Sequence, residues 1–206
     1  MSRCSAGGCG WLARVVRVSR CPPMPRDVQS SHAMRRAAVV GEVLIRLCRA
    51  EDLPQLEWFG MYTHHREILQ DAFARHLRGD QVMLVADLND FPVGQAWLDL
   101  VKRSAEGVGY IWAVRVFPLL RNLGIGRQLM SCAEDVLRER GFGVAEVGVE
   151  KDNLDAQRLY ERLGYTIHRA LKEEYGYTTP AGERGWHVVD QWIMRKRLDV
   201  QRSEPG

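Results

Sequence analysis

Two short stretches of this sequence carry residue types at spacings that suit chemistry on a phosphorylated ligand. The first is Arg121-Asn-Leu-Gly124-Ile-Gly126-Arg127, which follows a run of β character and precedes an amphipathic stretch. A helix beginning here would direct unpaired N–H groups and a partial positive charge toward an anion. The two glycines would let the backbone approach that anion, and the arginines could add charge-assisted hydrogen bonds. The stretch therefore predicts a pyrophosphate site.

The same stretch departs from two better-known phosphate-binding patterns. Leu129 stands where the dinucleotide-binding fingerprint GxGxxG needs its third glycine, and no Lys-Ser/Thr pair follows Gly126 as in a P-loop. Two glycines before a helix also suit a tight turn that binds nothing. A second constellation is needed to decide between these readings.

The second stretch is Val149-Glu-Lys-Asp-Asn153-Leu-Asp-Ala156-Gln-Arg-Leu-Tyr160-Glu-Arg-Leu-Gly164-Tyr165. Asn153 is suited to cap a helix, Ala156 permits close packing of that helix, and Gly164 suits the turn that ends it. Tyr160 is the residue with a possible chemical role. The alternative for Tyr160 is a core tyrosine on an apolar helical face.

In this order and separation, the two stretches resemble the paired hallmarks of the GNAT family of N-acetyltransferases. Val116-x-Pro118-x-x-Arg121-x-x-Gly124-x-Gly126 is similar to the family's acyl-CoA-binding motif, and the second stretch is similar to its other hallmark. The family usually has glycine after the arginine. Asn122 stands there in this chain, and asparagine tolerates a left-handed backbone. The motifs cover residues 114–165, and a weaker resemblance in element order covers about 42–197.

The resemblance implies an enzyme that moves an acetyl group from acetyl-CoA to a primary amine and uses no metal. In the family, the loop amides hold the CoA pyrophosphate and the preceding strand pairs with the pantetheine arm. Carried over to this sequence, the cofactor-binding residues are Val114, Arg115, Val116, Arg121, Asn122, Leu123, Gly124, Ile125, Gly126, Arg127 and Asn153. Tyr160 matches the general acid, because a phenol of pKa about 10 can protonate a departing thiolate of pKa about 8.5.

The order of strands and helices predicts an α/β domain. Alternation and apolar periodicity place strands at 43–48, 81–88, 91–100, 107–117, 144–149, 165–168 and 187–197. They place helices at 52–62, 66–77, 124–140 and 154–163, and they leave 169–186 as a long loop or extended excursion. The resemblance implies the GNAT fold over residues 41–200: a central mixed, mostly antiparallel sheet, splayed between strands 4 and 5 and flanked by helices.

The two ends of the chain differ from this domain. Residues 1–40 show no sustained period, and seven arginines against the single acid Asp27 give them a charge of +6. Since the whole chain carries +3, the remainder carries −3, and a surface built for nucleic acid is not indicated. We interpret 1–40 as a disordered basic extension, with a targeting peptide or a natural start at Met24 or Met34 as alternatives. Residues 201–206 are a C-terminal tail.

The cysteines and the apolar runs suggest the compartment. Five cysteines (Cys4, Cys9, Cys21, Cys48 and Cys132) form no CxxC pair, which favours reduced thiols over a zinc site or a disulfide framework. No apolar run approaches the roughly 18 residues of a membrane span. We therefore expect a cytoplasmic protein that binds neither metal nor membrane.

The acceptor amine stays open at this point. A small molecule is the first candidate, and a protein or peptide amine is the second. A third possibility, from a different class, is a non-catalytic module that senses acyl-CoA. The protein partners are equally open, and a homodimer is possible.

The general base that receives the amine proton also has several candidates. Glu146 and Glu150 lie on or just after the fifth strand, Asp99 lies on the third, and His64 and His65 precede a helix. Each could instead be a solvated charge. Aromatic residues could line a pocket for an organic cation, or could serve as core or dimer contacts. They are Trp58, Tyr62, Trp97, Trp112, Tyr175, Tyr177 and Trp186.

Overall fold

A computed structural model describes residues 16–17, 41–178 and 184–199. Its seven main strands are β1 Glu42–Leu47, β2 Gln81–Leu88, β3 Phe91–Asp99, β4 Val108–Val116, β5 Val144–Glu150, β6 Thr166–Thr178 and β7 Arg184–Arg197. Its helices are α1 Arg66–Arg78, α2 Ile125–Glu139 and α3 Leu154–Arg162. One mixed sheet runs in the order β1-β2-β3-β4-β5-β7-β6, with Val16–Arg17 paired antiparallel to β1. The predicted fold class, a mixed and mostly antiparallel sheet flanked by helices, is confirmed.

The predicted splay between the fourth and fifth strands is also present. β4 and β5 are the parallel pair, and they pair from Val108–Val144 only as far as Ile111–Val147. Beyond that point β4 continues to Val116 and β5 to Glu150 without pairing to each other. The two strands therefore form the walls of a cleft.

A bulge in β4 lies just past the point of separation. Gln95 of β3 pairs with Arg115 and Trp97 pairs with Trp112, so two residues of β4 lie opposite the single residue Ala96. One of these two is Ala113, whose φ of 51° is left-handed although it carries a side chain. Bulges bend a strand and increase its twist, which directs β4 away from β5.

The two faces of the sheet bury different helices. Leu129, Met130 and Leu137 of α2 pack on one face with Ile111 and Val147. On the opposite face, Leu69 and Ala72 of α1 pack with Met83, Val85 and Trp97. We call these the α2 face and the α1 face. Any ligand in the cleft between β4 and β5 can be approached from both.

The helix predicted over 52–62 is wrong. Short 3-10 turns replace it, at Ala50–Asp52 and Gln55–Glu57. Trp58 and Phe59 then adopt left-handed φ values of 44° and 58°, which stop a right-handed helix. The Trp58 indole is fully buried and donates a 2.7 Å hydrogen bond to the Pro92 carbonyl. The buried, hydrogen-bonded indole therefore fixes a conformation that is incompatible with the helix predicted from the local sequence.

Residues 169–186, predicted as a long loop or an extended excursion, have the extended form over most of the segment. β6 and β7 pair as a hairpin from Thr166–Arg195 to Thr178–Arg184, so most of that segment is strand. The part of β7 before Gln191 does not pair with β5, but it pairs with β6, and the Asp190 carbonyl accepts a 3.1 Å hydrogen bond from the Lys151 N–H. The charged sequence of β6 shows little strand periodicity, because its pairing with β7 rather than a buried face makes it a strand.

The structure describes only part of the segments for which the chain ends and the cysteines gave predictions. The extension over 1–40 lies outside the described residues apart from Val16–Arg17, and so does the tail over 201–206. Within the described residues, neither Cys48 nor Cys132 is joined in a disulfide. In the described ranges, no three His, Cys, Asp or Glu side chains are grouped as a metal site would need. No helix within those ranges is long and apolar enough to span a membrane.

A buried carboxylate joins the strands below the cleft. Glu146 of β5 has a fully buried side chain that accepts hydrogen bonds from Arg103 and, at 2.6 and 2.8 Å, from Arg195 of β7. Burial opposes ionisation of Glu146, but the hydrogen bonds and charges of the two arginines outweigh it and lower the pKa of the carboxyl. Glu146 therefore stays ionised and stabilises the base of the splay.

Glu146→Gln tests this anchor. We expect a loss of about 2 kcal/mol in the free energy of unfolding at pH 7, below the usual cost of about 3 to 5, because both arginines keep some contact with water. The wild-type contribution is present above the unfolded pKa of about 4.3 and is lost as pH falls through the lower folded pKa. Urea unfolding from pH 7 to pH 3 measures both effects.

Glu139→Gln, at the exposed end of α2, is the matched control and should change the unfolding free energy by less than about 0.5 kcal/mol. Equal stability of Glu146→Gln and wild type across this pH range would show that the cluster does not anchor the sheet.

Candidate active site

A cleft of about 980 Å³ opens where β4 and β5 separate. Its lining includes ten of the eleven predicted cofactor-binding residues, together with Tyr160. The ten are Val114, Arg115, Val116, Arg121, Asn122, Gly124, Ile125, Gly126, Arg127 and Asn153. Leu123 is half-buried and does not line the cleft. Two motifs that are distant in sequence thus converge on one cavity.

The N-terminus of α2 forms one end of the cleft. Within the described residues, no side chain caps this helix, and its first turn contains no acidic residue. Gly124 is the N-cap with a φ of 86°, and Asn122 adopts a φ of 62°, as its tolerance of left-handed backbone suggested. The first-turn N–H groups and the positive end of the helix dipole therefore face the cleft without a protein anion to neutralise them. This arrangement suits a phosphate.

The N-terminus of α3, which also borders the cleft, is different. The Asn153 side chain accepts a 3.2 Å hydrogen bond from the Ala156 N–H, and Asp155 places a carboxylate in the first turn. The protein's own groups thus satisfy part of this helix end. Of the two helix ends, that of α2 is therefore better suited to an anion.

The bulge of β4 lies in the middle of the cleft. Ala113, Val114, Arg115 and Val116 all line it, on the stretch of β4 that no longer pairs with β5. A bulged residue is left out of the strand ladder, so its polar backbone groups can serve a ligand. Sequence reasoning identified the strand but not the bulge, because Ala113 has no residue-type signal for a left-handed φ.

Tyr160 reaches the cleft from α3. Its side chain is only 4% exposed, and its ring centroid lies 6.1 Å from that of Tyr165. Burial is the main cause that raises the pKa of Tyr160, and the nearby Tyr110 adds to it. The phenol is therefore protonated at neutral pH and can act as a proton donor, but not as a base.

Sequence reasoning missed two polar side chains, Tyr110 and Gln191, that pack against Gly148 at the wall of the cleft. A Cβ placed on Gly148 of β5 would lie 2.6 Å from the Tyr110 hydroxyl and 2.4 Å from the Gln191 side-chain oxygen. Burial raises the pKa of Tyr110 to about 12. An isolated glycine within a strand marks such close approach, and Gly148 was that signal.

The candidate general bases fall into two groups, those that line the cleft and those that lie below it. Glu146 is enclosed by Arg103 and Arg195. Asp99 accepts hydrogen bonds from Arg75 at 2.7 Å and from two backbone N–H groups, and it lies where β3 pairs with Tyr110 below the cleft. Glu150 is exposed and lines the cleft. His64 and His65 line the cleft too, in the turn before α1.

The aromatic residues also divide. Trp58 and Trp97 are buried core residues, whereas Tyr62 and Trp112 line the cleft. Trp186 is 71% exposed on β7, and the side chains of Tyr175 and Tyr177 lie outside what the structure describes. The guanidinium of Arg115 lies 4.5 Å from the centroid of the Tyr62 ring. The predicted cluster of seven aromatics is therefore not one pocket.

Comparison with known proteins agrees with this geometry. The model of the acetyltransferase (GNAT) family matches residues 47–165, more than half of the 206-residue chain. The chain belongs to the GNAT family. Its motifs, splayed sheet and cleft are therefore those of a GNAT domain.

Relatives that match this GNAT chain in sequence cover only part of it. A mycothiol acetyltransferase from Beutenbergia cavernae is 41% identical over 80 residues, which are 39% of this chain and 26% of the relative. Another from Thermomonospora curvata is 32% identical over 84 residues, 41% of this chain and 27% of the relative. The chain thus spans about a quarter of the length of these relatives.

Solved structures match over nearly their whole length. YncA, a putative acetyltransferase from Salmonella typhimurium with its cofactor acetyl-CoA, has a TM-score of 0.59 and 22% identity, covering 80% of this chain and 98% of its own. The ribosomal-protein-S18-alanine N-acetyltransferase from Escherichia coli has a TM-score of 0.58 and 20% identity, covering 79% and 97%. At these identities the likeness establishes the shared fold.

Gly124→Ala tests the helix end of this GNAT cleft. A side chain in the left-handed region costs about 1 to 2 kcal/mol, and the strain displaces the first turn of α2. We expect the Kd for acetyl-CoA, measured by calorimetry, to rise at least about fivefold. Gly141→Ala is the matched control, because Gly141 follows the same helix with a φ of 81° and, like Gly124, has no atom within 4 Å of an added Cβ.

Both variants should lose similar stability, and Gly141→Ala should keep its Kd within about twofold. If the two variants bind acetyl-CoA equally well, the N-terminus of α2 is not the phosphate site.

Proposed function

We propose that this protein is an acetyl-CoA-dependent N-acetyltransferase whose acceptor is a small primary amine. The observation that carries the proposal is the convergence of three features on one cleft. They are the uncapped N-terminus of α2, the bulge of β4 and the buried phenol of Tyr160. Together they offer groups suited to the phosphate, the thioester carbonyl and the leaving sulfur of one extended ligand.

The residues present suit acetyl-CoA. Backbone N–H groups from Arg121 to Arg127 would hold the pyrophosphate, and the unpaired edge of β4 over Val114–Val116 would pair with the amides of the pantetheine arm. Arg121 is already directed to this end, since its Nε donates a 3.2 Å hydrogen bond to the Val116 carbonyl. The acetyl-CoA bound in YncA supports the same choice.

The chemistry needs two proton movements. As the amine nitrogen bonds to the acetyl carbon and the carbon–sulfur bond breaks, the thiolate gains one proton and the amine loses one. A backbone N–H at the bulge would polarise the thioester carbonyl, and Tyr160 would donate the proton to sulfur. Glu150, the exposed carboxylate at the cleft, would receive the amine proton directly or through water.

Two observations favour a small acceptor over a polypeptide. The 3-10 turn Thr63–His65 contacts β6 and borders the cleft on the α1 face, where a polypeptide acceptor would need an open groove. The curated relatives are named for mycothiol rather than for a protein.

Tyr160→Phe tests the proposed proton donor. We expect kcat to fall at least about tenfold, within the range of general-acid losses, while the Kd for acetyl-CoA stays within about twofold. Tyr165→Phe is the control, since this neighbouring tyrosine is equally buried but does not line the cleft, and its kcat should stay within about twofold. Coupled thiol release with a panel of small amines and peptides gives kcat, and calorimetry gives the Kd for acetyl-CoA.

An unchanged kcat for Tyr160→Phe would remove this residue from the mechanism. Turnover of peptides but not of small amines would instead identify a polypeptide acceptor. Tight acetyl-CoA binding without turnover of any amine would favour a sensor of acyl-CoA.

A further inference from the structure

The charged side chains at the cleft differ between the two faces of the sheet. In an antiparallel pair, residues opposite each other project to the same face. Arg115 pairs with Gln95, and Trp112 pairs with Trp97, whose side chain packs with α1. The Arg115 side chain therefore projects to the α1 face, away from the helix end proposed for the pyrophosphate.

The Arg115 guanidinium is held in place by an aromatic ring. Its Cζ lies 4.5 Å from the centroid of Tyr62, a contact that uses the flat face of the guanidinium. The N–H donors of arginine lie in the plane of that group, in a fork that matches a carboxylate or a phosphate. Stacking thus preorganises the donors at little further entropic cost.

Two histidines lie on the same wall of the cleft. The rings of His64 and His65 lie 4.0 Å apart, and His65 stacks on Tyr62 with centroids 5.8 Å apart. All of these side chains line the cleft. Since Arg115 and His65 both contact the Tyr62 ring, and Trp112 is packed edge-on against Trp97 at 4.7 Å, these rings do not form a cage for an organic cation.

The opposite wall has the opposite charge. Val147 and Val149 of β5 belong to the core on the α2 face, so the alternating Glu146, Gly148 and Glu150 project to the α1 face. Glu150 lies at the end of β5, beyond the point where it separates from β4. An acceptor entering from the α1 face therefore meets a carboxylate on one side and a guanidinium on the other.

From this arrangement we infer that the acceptor is a compact primary amine that also carries an anionic group, a carboxylate or a phosphate, bound by Arg115. Its amine faces Glu150 and the thioester. Ala113 of the bulge, Arg115 and Glu150 all line the same cleft, so one small molecule can present its amine and its anion to these residues together. The inference rests on the proposed acetyl transfer and names the acceptor class for the same cleft.

Matched pairs of amines test the inference. Several α-amino acids are compared with their amides, and ethanolamine phosphate is compared with ethanolamine, using thiol release from acetyl-CoA. We expect wild type to favour the anionic member of at least one set by about tenfold or more in kcat/KM, mainly through KM. The amino acid and phosphate sets identify which anion is bound.

Arg115→Ala should reduce that preference to within about twofold, chiefly by raising KM for the anionic amines. Arg115→Lys keeps the charge without the planar fork and should retain part of the preference. Arg140→Ala, at the exposed end of α2, controls for the loss of a positive charge and should behave as wild type.

Equal use of both members of every pair by wild type would overturn the inference and leave the proposed acetyl transfer intact. It would also be overturned if Arg115→Ala weakened acetyl-CoA binding and kept the preference, because Arg115 would then serve the cofactor. Absence of turnover with every amine would contradict both proposals.

Discussion

The structure depends on one constraint: two parallel strands must pair at their bases and separate above. Pairing from Val108 to Ile111 keeps β4 and β5 together, and the buried Glu146 with its two arginines stabilises this base. The bulge at Ala113 then bends β4 away. The pairing closes the base of the cleft, and the bulge contributes to the separation of the two strands above it.

The separation of the strands determines how the rest of the site is placed. Because the sheet is open at this point, the N-terminus of α2 and the side chain of Tyr160 reach the same cavity from the α2 face. Arg115, Glu150 and the turn at His64 reach it from the α1 face. The two helix ends at the cleft differ in their caps and in their first-turn charges. The Asn153 side chain caps α3, whose first turn contains Asp155, whereas among the described residues no side chain caps α2 and its first turn contains no acidic residue.

The sequence was informative where local chemistry decides the conformation. Glycine at 124 and asparagine at 122 adopt the left-handed conformations that their residue types permit, and Asn153 caps the helix as predicted. Helices α1, α2 and α3 were predicted to within one or two residues, because their apolar faces follow a helical period.

The conformations that the sequence did not predict depend on tertiary contacts, which local sequence patterns do not reveal. The buried indole of Trp58 breaks a segment that reads as helix, and pairing with β7 extends β6 through a charged segment. The left-handed Ala113 is maintained by its neighbours rather than by its type. Sequence alone also could not distinguish the two candidate general bases on β5. Glu146 and Glu150 are the same residue type on one strand, but Glu146 is buried and Glu150 is exposed.

The most direct test of the central claim is a crystal structure of the protein with acetyl-CoA. The account predicts the pyrophosphate on the N–H groups of the first turn of α2, the pantetheine arm along Val114–Val116, and the sulfur within hydrogen-bonding reach of the Tyr160 hydroxyl. Acetyl-CoA bound outside the cleft between β4 and β5, or with its phosphates at the N-terminus of α3, would contradict it.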